Sequence, residues 1–277
     1  NRQGMAMGVY GAGNSGSALN KFVAPVLLVS FGWTMVPQVY AAIMAGTVVL
    51  FWLFSYSDPA HLVSSNASFG EQLKALKDPR VLKYCQYYSI VFGGYVALAL
   101  WMVQYYVGEF GLDIRVAALL AACFSLPGGV LRAIGGLLSD KYGAHKVTWW
   151  VLWVSWICLF LLSYQQTDFT IATVGGTRNF HLGLNVYAFT ALLAVLGVAF
   201  AFGKASVFKY ISDDYPGNIG AISGIVGLAG GLGGFVLPIL FGALLDLTAV
   251  RSSAFMLMYG VVWVSLIWMY FTEVRRA

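Results

Sequence analysis

FSLPGGVLRAIGGLLSDKYGAHK, residues 124–146, is an apolar, glycine-rich stretch interrupted by one cation, Arg132, before it ends in a charged turn with Asp140, Lys141 and Lys146. A guanidinium stays protonated in proteins and presents a rigid, planar fork of donors. Inside a membrane-spanning helix it costs at least about 2.5 to 3.5 kcal/mol unless an anion or the membrane surface relieves it. Pro127, Gly135 and Gly136 mark a helix face that approaches its neighbours closely, which favours relief by an anion. A small planar oxyanion fits the fork.

Outward from this stretch the whole chain is apolar. Of 277 residues, 60% are hydrophobic and only 10% charged, with 32 glycines, too little charge to cover a soluble domain. The apolar residues fall in eight segments, 5–32, 38–56, 84–108, 116–138, 147–164, 186–212, 219–245 and 253–273. Each is close to the roughly 20 residues of helix that cross a bilayer. The class is an all-α polytopic membrane protein. Most joints are short, but residues 57–83 form a polar span with Glu71, Lys74, Lys77, Asp78, Arg80 and Lys83, and 165–185 form a longer loop. The polar span leaves two helices before it and six after, as a linker between two bundles does. With that linker in the cytoplasm, Arg2, Lys74, Lys77, Arg80, Lys83, Lys141, Lys146, Lys209, Arg275 and Arg276 share its side, opposite Arg115, Arg178 and Arg251. This bias places the linker and the last residues inside.

The remaining basic residues, Lys21, Arg132 and Lys204, fall within predicted spans, whereas all 11 carboxylates and His61, His145 and His181 fall in loops or at helix ends. The predicted membrane interior is therefore cationic without a counter-charge. Cys85, Cys123 and Cys158 lie in three different segments without CxxC spacing, so neither a disulfide nor a zinc site is expected. No span carries a histidine for haem, a carboxylate pair or a nucleophile with its base. The reading is a carrier for an anion, with no catalytic residue, metal or cofactor. A membrane enzyme or the anchor of a redox complex ranks well below it. The net charge of +5 sits mainly in loops, where it sets topology and does not point to nucleic acid.

Three motifs carry a family resemblance. Gly136, Asp140, Lys141 and Gly143, in GGLLSDKYGAHK, resemble the loop motif of the major facilitator superfamily, which follows the second and eighth helices there. Two helices precede the linker, so the resemblance implies that the segment with Arg132 is the eighth. The chain then holds helices five to twelve of twelve, with helices one to four outside it. Two glycine-rich runs, GVYGAGNSGSALNKFVAP with Gly8, Gly11, Gly13 and Gly16, and GIVGLAGGLGGFVLP with Gly224, Gly227, Gly230, Gly231, Gly233 and Gly234, occupy equivalent helices of the two halves. Small residues at such spacing let helices meet backbone to backbone. Together the runs resemble the signatures of the nitrate/nitrite porter family, the NarK-like proteins.

The resemblance implies secondary transport of nitrate and nitrite by alternating access in the cytoplasmic membrane. Exchange of the two anions leads; nitrate/proton symport or another small anion are alternatives. Arg132 looks like the family's substrate arginine, Tyr88 and Phe92 in YSIVFGG like its tyrosine and phenylalanine, Phe208 in GKASVFK like the sandwiching aromatic, and Asn14 like the signature asparagine. Lys204 is expected to bear on coupling or gating. The implied partners are nitrate, nitrite, membrane lipid and helices one to four. Gly227 stands where some relatives carry serine, and the family's second substrate arginine lies outside this chain.

Overall fold

The computed structural model describes Gly13 and residues 16–56 and 75–275. Helix α1 (Gly16–Phe31) and α2 (Met35–Phe54) come first, joined through Gly32 at φ 83°. A 3-10 turn (Ala75–Lys77) then leads to α3 (Pro79–Tyr88), a π-helical turn (Ser89–Gly94) and α4 (Tyr95–Phe110), which together make one span. Next come α5 (Ile114–Val130), α6 (Arg132–Tyr142) and α7 (Ala144–Leu162). Strands β1 (Thr167–Thr173) and β2 (Gly176–Leu182) precede α8 (Val186–Asp214), α9 (Ile219–Thr248) and α10 (Ser253–Met269).

Among the described residues six helices are long and apolar enough to cross a membrane, or seven when α5 and α6 count as one bent span; a shorter apolar helix covers Leu19–Phe31. Each of the eight apolar segments therefore meets a helix. Polar side chains start several of them. Asp78 caps α3 by accepting from Arg80 N at 2.9 Å, with Pro79 preset for the first turn, and Asp113 and Asn185 cap α5 and α8 through Arg115 N and Ala188 N. The buried apolar core among the described residues runs from Val81 to Met269, and α2 contributes no buried residue to it.

Three features depart from the sequence reading. Segment 116–138 is not one helix. It breaks at Leu131 (φ −75°, ψ 1°), and α5 and α6 meet at 45°. The break directly follows Pro127-Gly128-Gly129, three of the poorest helix formers in a row, so the coil gives way there at little cost. The span containing YSIVFGG carries the π turn at Ser89–Gly94, an extra residue in the coil that re-aims the flanking side chains. Lastly, loop 165–185 contains an antiparallel hairpin, Thr167 opposite Leu182 and Thr173 opposite Gly176, so the chain is not wholly helical. Thr167, Thr170, Ile171 and Thr173 favour strand, and Val174 and Gly175 make the turn, after which Gly176 opens β2 at φ 114°.

Candidate functional site

Arg132 is the first residue of α6, delivered by the break at Leu131 into the interior, where it is only 4% exposed. That position rules out snorkelling to the surface. Its guanidinium carbon lies 5.2 Å from the ring centroid of Phe208, on α8. Phe208 meets Tyr88 edge-on at 5.0 Å, and Tyr88 stacks on Phe92 at 5.1 Å. Tyr88 precedes the π turn and Phe92 lies within it, so α3, the π turn, α6 and α8 assemble one cation and three rings. Tyr88 and Arg132 both lie against Phe208. Among the described residues, Arg132 Nε is buried and has no hydrogen-bond partner. A desolvated, unpaired donor of this kind is costly, and an acceptor held in the guanidinium plane relieves it.

Lys204 lies four residues, about one helical turn, before Phe208 on α8 and is fully buried. Its Nζ donates to the Gly128 carbonyl at 2.6 Å and stands 3.5 Å from the centroid of the Tyr95 ring. Tyr95 in turn donates from its hydroxyl to Ser125 O at 2.8 Å.

The second glycine run splits between two faces of α9. A Cβ at Gly230 would lie 2.5 Å from Tyr88 Cδ1 and 2.9 Å from Phe92 Cδ1, and one at Gly233 would lie 2.9 Å from Ser89 O. Gly234 borders Val96 at 3.1 Å, while Gly224, Gly227 and Gly231 have no described residue within 4 Å. In the first run the same holds of Gly13 and Gly16; Gly8, Gly11 and Asn14 lie outside the described residues. Of the loop motif, Gly136 is buried, Gly143 takes φ 86° between α6 and α7, Asp140 pairs with Lys209 at 3.6 Å and Lys141 rests on Tyr142 at 5.1 Å.

A polar cluster that sequence reasoning did not assemble closes the end of the bundle near residue 80. Glu273 receives Lys83, His145 Nδ1 at 2.5 Å and the Tyr210 hydroxyl at 2.6 Å, so three helices converge on the chain's last carboxylate. Beside it the Tyr215 hydroxyl donates to Asp78 at 2.5 Å, which with Arg80 holds the Asp78 carboxyl below its ordinary range. Burial first, and then that bond, push Tyr215 up to about 12. Tyr95, Gly128 and Ser125 were also missed. Tyr95 was detectable as the third aromatic of YSIVFGGY, but a backbone carbonyl acting as acceptor leaves no mark in a sequence.

The sequence model of the Major Facilitator Superfamily matches residues 1–175 and 88–277. The chain is 34% identical over 287 residues to a probable nitrate/nitrite antiporter, NarK1, of Thermus thermophilus, covering 99% of this chain and 65% of that protein. It is 30% identical over 276 residues to the nitrite extrusion protein of Bacillus subtilis (strain 168), covering 98% and 65%. It is also 30% identical over 263 residues to a probable nitrate transporter, NarT, of Staphylococcus haemolyticus, covering 93% and 62%. The chain thus spans 62 to 65% of the length of these relatives. In structure it is similar to the major facilitator transporter FucP in its outward conformation, with a TM-score of 0.58, 16% identity, and coverage of 84% of this chain and 53% of that one. The resemblance read from the motifs agrees with these relatives.

Proposed function

This chain belongs to the Major Facilitator Superfamily, a multi-pass membrane protein, and from that premise we propose that it is part of a carrier for nitrate and nitrite. In this reading residues 1–56 are the last two helices of a first bundle, 57–83 the cytoplasmic linker, and 84–277 the six-helix second bundle. The protein lies in the cytoplasmic membrane with the linker and C-terminus inside, as the distribution of Lys and Arg favours. The remaining helices, one to four, supply the rest of the site.

The observation that carries the proposal is Arg132 Nε, buried without a partner among the described residues, beside an aromatic wall. A flat monovalent oxyanion satisfies it in the plane of the fork, Tyr88 offers a hydroxyl donor, and Phe92 and Phe208 present ring faces or edges. Asn14 completes the donor set, the signature glycines allow the helices to shift, and Lys204 bears on coupling or gating. The carrier is no enzyme: it moves its substrate unchanged. Exchange of nitrate for nitrite is favoured, because the described wall around Arg132 holds basic side chains and aromatics and no carboxylate or histidine.

Nitrate uptake by the full-length protein in proteoliposomes tests this, with nitrite trapped inside or absent and with or without a proton gradient. Exchange requires internal nitrite and ignores the gradient; uptake into empty vesicles driven by the gradient means symport. Arg132→Lys keeps the charge but loses the fork, and nitrate affinity is expected to fall by roughly tenfold or more. Wild-type affinity in that variant would remove Arg132 from the site.

A further inference from the structure

We infer that Lys204 is a positioning residue that holds the break at Leu131 in the geometry presenting Arg132, and that it does not itself ligate the anion; this rests on the site proposed above. The Gly128 carbonyl stands four residues before Arg132, so in an unbroken helix its donor is the Arg132 N–H. Here the chain bends by 45° between those residues, and α8 reaches across to give that carbonyl a donor, Lys204 Nζ at 2.6 Å.

The same ammonium lies 3.5 Å from the centroid of Tyr95, on α4. The Tyr95 ring is seated directly on Gly128, where an added Cβ would collide with its Cε2 and Cδ2. Its hydroxyl is bonded to Ser125 O, three residues before Gly128. Lys204 and Tyr95 therefore grip the last turn of α5 from two helices, one at Gly128 O and one at Ser125 O. Each compensates the other's burial: the ring face and the carbonyl stabilise the cation, and the cation satisfies an acceptor beside the helix end. Arg132 is the next residue beyond Leu131. Any relaxation of this clasp changes the angle of α6 and shifts the guanidinium on Phe208.

The test is equilibrium nitrate binding to the purified full-length protein, with the saturating uptake rate measured in parallel, for Lys204→Met, Tyr95→Leu, the double variant, and Arg132→Lys as reference. Lys204→Met removes a buried charge and fits an apolar interior, so folded protein is expected. Each single variant should weaken nitrate binding roughly three- to tenfold, and the double variant no more than the poorer single, since the two residues act as one unit. Tyr95→Phe keeps the ring beneath the ammonium but loses the bond to Ser125 O, so it should weaken binding about two- to threefold, less than Tyr95→Leu, and it takes the place of Tyr95→Leu if that variant fails to fold. Weakened binding in Lys204→Met with wild-type binding in Tyr95→Leu would make Lys204 a direct anion ligand and overturn the inference. Wild-type binding in Lys204→Met would overturn it too. If Arg132→Lys alone binds as wild type, the site itself is wrong, an outcome distinct from failure of the clasp.

Discussion

Gly230 and Gly231 are neighbours on α9, yet they do opposite things. Gly230 touches the rings of Tyr88 and Phe92, and with Gly233 and Gly234 it forms a face on which the π turn and Val96 rest at backbone distance. Gly231 points about 100° away around the helix, and with Gly224 and Gly227 it faces no described residue within 4 Å. One glycine run thus serves two faces. On the closed face the missing side chain is an interface, and a methyl group has no room. On the open face it meets no other described residue. What separates the two is distance to a neighbour, which composition does not contain.

Four substitutions sharpen or break this contrast, taken from the largest expected effect down. Gly233→Leu drives a side chain into the Ser89 backbone, which cannot rotate away; overpacking of this kind costs about 1 to 3 kcal/mol or more, and the yield of monodisperse protein should collapse. Normal yield would mean that α9 and the π turn are not in contact. Gly230→Ala meets ring atoms, which can shift, so folded protein is expected with nitrate affinity reduced several-fold, roughly 1 kcal/mol, through displaced Tyr88. Unchanged affinity would separate Tyr88 from the site. Ser89→Ala removes a hydroxyl shared between Cys85 O at 2.8 Å in its own helix and Ala229 O at 3.1 Å across the same contact, and a loss of no more than about 0.6 kcal/mol, read as a small drop in melting temperature, is expected. Gly231→Ala should leave the melting temperature unaltered; a drop comparable to that of Gly230→Ala would erase the distinction between the faces.

Much of the architecture was legible because the bilayer imposes it. A segment that cannot satisfy its backbone in hydrocarbon must be helical, so eight apolar runs meant eight helices, and Arg132 stood out because a cation there is expensive. Tyr88 and Phe92 were named through the family resemblance, and they stack on one another. The reading failed where a local irregularity overrode the period. Pro127-Gly128-Gly129 carried the signal for a break, but their apolar character let them pass as continuous helix. The Thr-rich stretch from 167 to 173 was masked by its polar surroundings, although its alternation and the glycines after it specify a hairpin. The Glu273 cluster brings together residues far apart in the chain, and nothing local announces it.

By itself, the sequence determined which segments are helices, which cations they carry, and through its glycine and loop motifs the family, since helix formation and motif identity depend on residues close together along the chain. Only the tertiary structure decided the bend at Leu131, the pairing of Lys204 with a carbonyl on another helix, and which glycines of α9 are contacts. These depend on atoms brought within a few ångströms from distant helices, and backbone carbonyls are the same in every residue.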